Sequence, residues 1–194
     1  MTVLIPFAGR VAVPWKNGGG STTEIAVAPL DAGFDDFDWR ISLATISGDG
    51  PFSIFDGVDR TLALVDGAGM TLDIDEDEKV TVSPDDPVVA FAGESAVMAA
   101  LTRGPTTDFN VMTRRERCHH QFGRRQLTGV SRFAPRGDVS VLFLVDGDSI
   151  SVSSESERIG MVRYDAVLFD TTTIWTLEAA RAVILIVDIF YNDE

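Results

Sequence analysis

Three short stretches in the first 115 residues gather side chains that bind anions and move protons. Pro14-Trp15-Lys16-Asn17-Gly18-Gly19-Gly20-Ser21-Thr22 sets an ammonium and an amide beside three glycines, whose backbone admits positive φ and the close approach of another group. It is not a phosphate-binding P-loop, because there the lysine follows the glycines at the start of a helix. Here Lys16 precedes them, and Thr22-Thr23-Glu24-Ile25-Ala26-Val27 reads as a strand. Such a turn holds Lys16 and Asn17 at a pocket mouth with Glu24 pointing inward, or it is a flexible hairpin; spacing alone leaves both readings open.

The second stretch, Asp38-Trp39-Arg40-Ile41-Ser42, alternates, so Arg40 and Ser42 share one face while Trp39, Ile41 and Leu43 share the other. An inward Arg40 needs a carboxylate from the protein or a ligand, whereas an outward one is a solvated charge. In the third, Asp108-Phe109-Asn110-Val111-Met112 puts Asp108, Asn110 and Met112 on one face, the lining of a ligand cavity or an edge in water. Between them, Gly50-Pro51-Phe52-Ser53-Ile54-Phe55 reads as an aromatic-rich turn into the strand that begins near Arg60. Phe52 and Phe55 are expected in the core, and the role of Arg60 stays open.

Metal and nucleophile chemistry finds little support. His119 and His120 are adjacent, point to opposite faces of a strand and sit in no His-x-His or Glu-x-x-His spacing, so no metal site is expected. No Ser, Cys or Thr is marked as the nucleophile of a triad. Cys118 is the single cysteine, which excludes an internal disulfide and fits a reducing compartment.

The elements that must position these groups are strands. Period-two alternation runs through Met70-Thr71-Leu72-Asp73-Ile74-Asp75, Val80-Thr81-Val82-Ser83 and Ile150-Ser151-Val152-Ser153. Short apolar runs at 62–65, 88–91, 141–145 and 183–187 read as strands buried on both faces. No long 3.6-residue stripe is present; residues 95–101 and 113–121 hold at most short helices. The chain is therefore expected to be all-β.

Leu64-Val65-Asp66-Gly67 recurs as Leu144-Val145-Asp146-Gly147, eighty residues on, with similar flanking patterns: an apolar run before, then an alternating strand, an acidic tract and a further apolar strand. This predicts an internal duplication into two small barrels or sandwiches, an amino-terminal one over 1–104 and a carboxy-terminal one over 105–194, with strands exchanged across the boundary allowed.

Composition sets the outer bounds. With 194 residues, 45% hydrophobic and twelve Phe, the chain has the make-up of a packed globule. Its net charge of −14 argues against nucleic acid and acidic membrane surfaces as partners. Residues 103–136 run against that trend, with eight arginines and two acids. That segment either pairs with acidic surface nearby or forms an anion- or partner-binding patch. The opening residues lack a leader pattern and no apolar run reaches a membrane span, so a cytoplasmic location is expected.

Taken in order, Pro14–Gly20 with Thr22 and Glu24-Ile25-Ala26, Trp39-Arg40-Ile41-Ser42, Gly50-Pro51-Phe52-Ser53 through Gly57-Val58-Asp59-Arg60, and Asp108–Met112 with Arg114-Arg115 resemble the HutD family, also called Ves. The resemblance implies a cupin or jelly-roll type bicupin, one barrel per repeat, usually dimeric, and often linked to histidine utilisation as a regulator; no cofactor is expected. The family's motif residues fall on Lys16, Asn17, Glu24, Trp39, Arg40, Ser42, Arg60, Asp108 and Asn110. The His and Glu ligand set of metal cupins is missing from this chain. The resulting expectation is a sensor of a carboxylate-bearing metabolite of the urocanate or formiminoglutamate type, clamped by arginine and stacked on Trp39 or Phe109. The competing expectation is a metal-free enzyme with Glu24 or Asp108 as general base, and a third is a partner-binding protein that uses the basic segment.

Overall fold

The computed structural model describes residues 2–193, and every regular element among them is a β-strand. The first eleven are β1 (Thr2–Ile5), β2 (Val13–Pro14), β3 (Gly20–Ala28), β4 (Trp39–Ile46), β5 (Gly50–Pro51), β6 (Val58–Asp66), β7 (Met70–Ile74), β8 (Glu78–Val82), β9 (Val88–Ala92), β10 (Val97–Leu101) and β11 (Thr106–Arg114). The rest are β12 (Cys118–Phe133), β13 (Val139–Asp146), β14 (Ser149–Ser153), β15 (Arg158–Val162), β16 (Ala166–Phe169) and β17 (Trp175–Tyr191). Residues 95–101 and 113–121, expected to hold at most short helices, contain β10, the end of β11 and the start of β12. Within β10, Val97 and Ala99 are buried while Met98 and Ala100 are exposed, which is the alternation of a strand. No helix among the described residues is long and apolar enough to cross a membrane.

The chain divides into two compact units, residues 11–118 and residues 2–10 with 119–193. A division at 104/105 would remove β11 from the first unit, yet β11 pairs along its whole length with β4 and β6 at the centre of that unit's larger sheet. Conversely β1, at the start of the chain, pairs with β16 of the other unit.

In the 11–118 unit a six-stranded sheet, in the order β2-β3-β4-β11-β6-β9, accompanies a four-stranded sheet in the order β5-β10-β7-β8. Ile46, Leu62 and Leu64 from the first meet Met70, Leu72, Val97 and Ala99 from the second in one apolar cluster. A smaller cluster gathers Phe37, Val58 and Met112 with Val27 and Phe55. Each fully buried large aliphatic side chain contributes about 2 kcal/mol. Arg115 ties this unit's edge by bridging Asp59 at 2.7 Å and Glu94, so this part of the basic segment pairs with acids.

In the other unit one seven-stranded sheet runs β1-β16-β13-β17-β14-β15, with β12 also on β17. Side chains from distant strands of that sheet, among them Phe169, Leu142, Ile184, Val152 and Met161, join one cluster, so the sheet wraps around its own core.

The repeated Leu-Val-Asp-Gly has a structural meaning in both places. Opposite Thr107 and Asp108 the register jumps from Asp66 to Leu64, and opposite Val183 and Ile184 it jumps from Asp146 to Leu144, leaving Val65 and Val145 as the extra residues of β-bulges. The glycine that follows turns the chain into a hairpin with φ of +98° at Gly67 and +118° at Gly147. A Cβ there would lie 2.7 Å from the Pro105 carbonyl oxygen and 2.6 Å from that of Arg181, respectively.

Candidate functional site

A cavity of about 790 Å³ opens in the 11–118 unit, lined mainly by the inner face of β3, β4, β11 and β6, the turn before β3 and the aromatic turn before β6. Eight of the nine residues singled out from the sequence line it: Lys16, Asn17, Glu24, Arg40, Ser42, Arg60, Asp108 and Asn110. The ninth, Trp39, does not. It is buried on the opposite face of β4 from Arg40, and Phe109 is buried on the opposite face of β11 from Asp108. Neither can stack on a ligand in this cavity. The aromatic walls are instead Trp15, Phe34, Phe52 and Phe55. Phe52 and Phe55, expected as core, are half-buried and border the cavity.

The glycine-rich turn is hydrogen-bonded. Trp15 N donates to the Gly20 carbonyl at 2.8 Å, Gly18 N donates to the Trp15 carbonyl at 3.0 Å, and Asn17 Oδ1 accepts from Gly19 N at 3.0 Å. Trp15 Nε1 donates to Thr22 Oγ1 at 2.8 Å, which fixes the indole as a wall. Gly20 is required by close approach: a Cβ would meet the Thr45 carbonyl oxygen at 2.3 Å and the Trp15 ring at 2.9 Å. Lys16 and Asn17 are exposed at the mouth.

A second bulge makes Glu24 part of the lining. Glu24 pairs with Ser42 and Ala26 with Ile41, so Ile25 is the extra residue, and Glu24 and Val27 both face inward despite their odd spacing. Glu24 reaches Arg40 at 2.8 Å, and Phe34 lies 4.3 Å from the Arg40 guanidinium carbon. The inward-facing arginine thus has a protein carboxylate and an aromatic face.

Arg60 is the deeper cation, 8% exposed. Its Nη2 donates to Asn110 Oδ1 and its Nη1 to the Ser53 carbonyl, each at 3.3 Å, while Nε has no partner. Phe91, Phe52 and Phe55 surround its guanidinium carbon at 5.0, 5.5 and 5.7 Å. Burial lowers its pKa to about 10, with the charge of Asp108 acting the other way, so it stays cationic at neutral pH. Asp108 is 1% exposed, and neither carboxylate oxygen has a hydrogen-bond partner. Burial pushes its pKa up to about 7 against the opposing pull of Arg60. Buried polar atoms without partners are rare in folded proteins and mark places where something else supplies the bond.

The donor set does not suit a His-rich metal centre. No His or Cys lines the cavity, one of its two carboxylates is committed to Arg40, and among the described residues no group of three or more His, Cys, Asp or Glu is placed to hold a metal. Cys118 is buried, its thiol lies 3.3 Å from the Asp38 carbonyl oxygen, and burial raises its pKa to about 11, so it is not a thiolate. What the cavity can do is hold a small anion against Arg60, flank a flat molecule with aromatic rings, and offer Asp108 as a proton donor or acceptor.

Known proteins share the family and the fold. The family model HutD matches residues 8–187. Protein Ves of Citrobacter koseri is 38% identical over 134 residues, 69% of this chain and 67% of that protein. A 21.2 kDa protein from the hutC 3′ region of Pseudomonas putida is 34% identical over 151 residues, 77% of each chain. The structure of HutD from Pseudomonas fluorescens superposes with a TM-score of 0.82 at 30% identity, covering both chains completely. Salicylate 1,2-dioxygenase from Pseudoaminobacter salicylatoxidans superposes with a TM-score of 0.65 at 8% identity over 96% of this chain and 80% of that one, which shows the cupin fold alone.

Proposed function

We propose that this chain, which belongs to the HutD family, binds a small carboxylate-bearing metabolite of histidine breakdown in the cavity of the 11–118 unit and acts as its sensor. The observation that carries this reading is Arg60: a buried cation with two long hydrogen bonds, an unused Nε and three aromatic neighbours, at a cavity whose other inward arginine already has Glu24. A ligand carboxylate completes the coordination of Arg60, while Trp15, Phe34 and Phe52 offer faces for a planar body such as the imidazole-acrylate of urocanate. The relative from the hutC 3′ region supports a link to histidine utilisation.

Calorimetric titration tests the reading with urocanate, formiminoglutamate and formate, the last being the condition named for the P. fluorescens HutD structure. Saturable binding is expected for at least one, weakened by about 2 to 4 kcal/mol in Arg60→Met, which keeps an apolar stem among the phenylalanines and removes the charge. Flat heats for all three overturn the assignment.

One observation favours a second reading, turnover. A carboxyl titrating near 7 is suited to general acid or base work at neutral pH, and Asp108 meets that condition, whereas Glu24 is held by Arg40. An NMR time course of the same compounds with the protein decides it: loss of substrate that stops in Asp108→Asn is catalysis, and unchanged spectra leave a binding protein.

A further inference from the structure

We infer that the site takes its ligand as a carboxylate together with one proton, shared between that carboxylate and Asp108, so that affinity for the metabolite is set by pH. This rests on the carboxylate-binding reading and adds the charge state in which binding occurs.

The argument begins with a charge count around the cavity. Arg40 is neutralised by Glu24 at 2.8 Å, and Lys16 is exposed at the mouth, which leaves Arg60 and Asp108 as the buried charged residues of the lining. With Asp108 ionised, Arg60 is already balanced, and an incoming carboxylate would be a second anion served by one guanidinium, beside two side chains only 8% and 1% exposed. Two carboxylates in such a place do not both stay ionised; they hold one proton between them. With Asp108 protonated, Arg60 is available to the ligand and the acid O–H supplies a short, charge-assisted hydrogen bond to it. The two oxygens of Asp108 without protein partners are the acceptor and donor positions this arrangement needs.

The surroundings of Asp108 contribute no other proton carrier. The other charged residues of the cavity lining are Arg60 on β6, Arg40 on β4, Glu24 on β3, bound to Arg40, and Lys16 in the glycine-rich turn. The four-stranded sheet contributes Met70, Leu72, Ile74, Val97 and Ala99 to the core, none of them titratable. The upward displacement of the Asp108 pKa to about 7 accords with a carboxyl that keeps its proton until a neutral pH is passed.

The proton balance follows. Above about pH 7 each bound carboxylate brings one proton from solution onto the pair; below it Asp108 already carries that proton and none is taken up. No bond other than the O–H is made or broken. Affinity is level below about pH 6 and falls close to tenfold per unit above 7, or about thirtyfold from pH 6 to 8.5.

The experiment is calorimetry on the full chain with urocanate and with 3-(2-furyl)acrylate, a planar acrylate whose ring does not titrate. Titrations across this pH range, repeated at about pH 8 in two buffers of different ionisation enthalpy, count the protons taken up. The expected result is close to one proton per ligand at the higher pH and none at the lower, with Asp108→Asn flattening the difference. Should that variant fail to fold, the proton count on the unaltered chain decides alone. Binding without proton uptake and with a level profile overturns the shared proton and leaves the carboxylate reading standing. If neither compound binds at the lower pH, both fall.

Discussion

The two units share one strand pattern but differ in what β11 and the matching part of β17 turn inward. In residues 11–118, β6 pairs with β9 and β11 while β7 pairs with β8 and β10; in the other unit β13 pairs with β16 and β17 while β14 pairs with β15 and β17. The bulges put the registers in correspondence, so that Arg60 matches Ser140, Asp108 matches Ile184 and Asn110 matches Ile186. Where the first unit lines a cavity with a guanidinium, a carboxyl and an amide, the second fills the equivalent positions of β17 with isoleucine and packs Trp175, Phe169 and Leu144 around them. The second unit thus closes without a counterpart of Asp108 or Asn110, although at the Arg60 position it buries Ser140, whose hydroxyl donates to the buried Asp188. The carboxyl and the amide are additions at two inward positions of a strand that elsewhere carries isoleucine.

Exchanging the interiors tests that contrast most severely. Ile184→Asp puts a carboxylate into a packed apolar core at the register position of Asp108, and should cost about 4 kcal/mol or more in urea unfolding. A cost below about 1 kcal/mol would mean that the second interior takes in water around the new carboxylate.

The reverse change concerns Asp108. Its pKa rises from an ordinary 3.8 to about 7 on folding, so between those values the folded chain binds more protons than the unfolded one. Stability therefore falls as pH rises through that window, and the full cost is present above it. Asp108→Asn should stabilise the chain by roughly 2 to 4 kcal/mol near pH 8 and by about 1 to 2 near pH 5, read from denaturation midpoints. Equal midpoints at both pH values would show a hydrated, freely titrating carboxyl.

A feature common to both units should respond alike. Gly67→Ala and Gly147→Ala each force a side chain against a backbone carbonyl at positive φ, and each should cost about 1 to 3 kcal/mol. A large effect at one glycine alone would break the structural correspondence. The smallest effect belongs to the pair of the exposed Lys79 with the half-buried Asp73 at 3.3 Å, where Lys79→Ala should change stability by less than about 0.5 kcal/mol.

Strands were legible wherever a local rule governs them. The alternation at Met70–Ile74 and Ser149–Ser153 and the apolar runs inside β6, β13 and β17 mark true strands, because one or both faces are buried there. The run in β9 is also a strand but, against expectation, is not buried on both faces: Ala90 is exposed and only Val89 is fully buried. The full lengths of β12 and β17 were hidden, since arginines and acids within them break the local pattern while distant pairing partners hold the strand. At the site, the polar residues could be read because a buried Arg or Asp in an alternating strand demands a partner. Its aromatic walls could not. Phe34 meets Arg40 from a loop with no periodicity, and nothing local separates it from the core residue Phe37 nearby.

The extra residue at Ile25 has a consequence for comparing sequences within the family. Side chains alternate along a strand, so one inserted residue reverses inside and outside for everything beyond it. Glu24 and Val27 both reach the interior because Ile25 absorbs that reversal. A related chain one codon shorter here could keep every neighbouring letter and still turn its carboxylate to the outside. Transfer of the Glu24–Arg40 pair to such a chain is justified only when the alignment conserves the residue count between these positions as well as their identities.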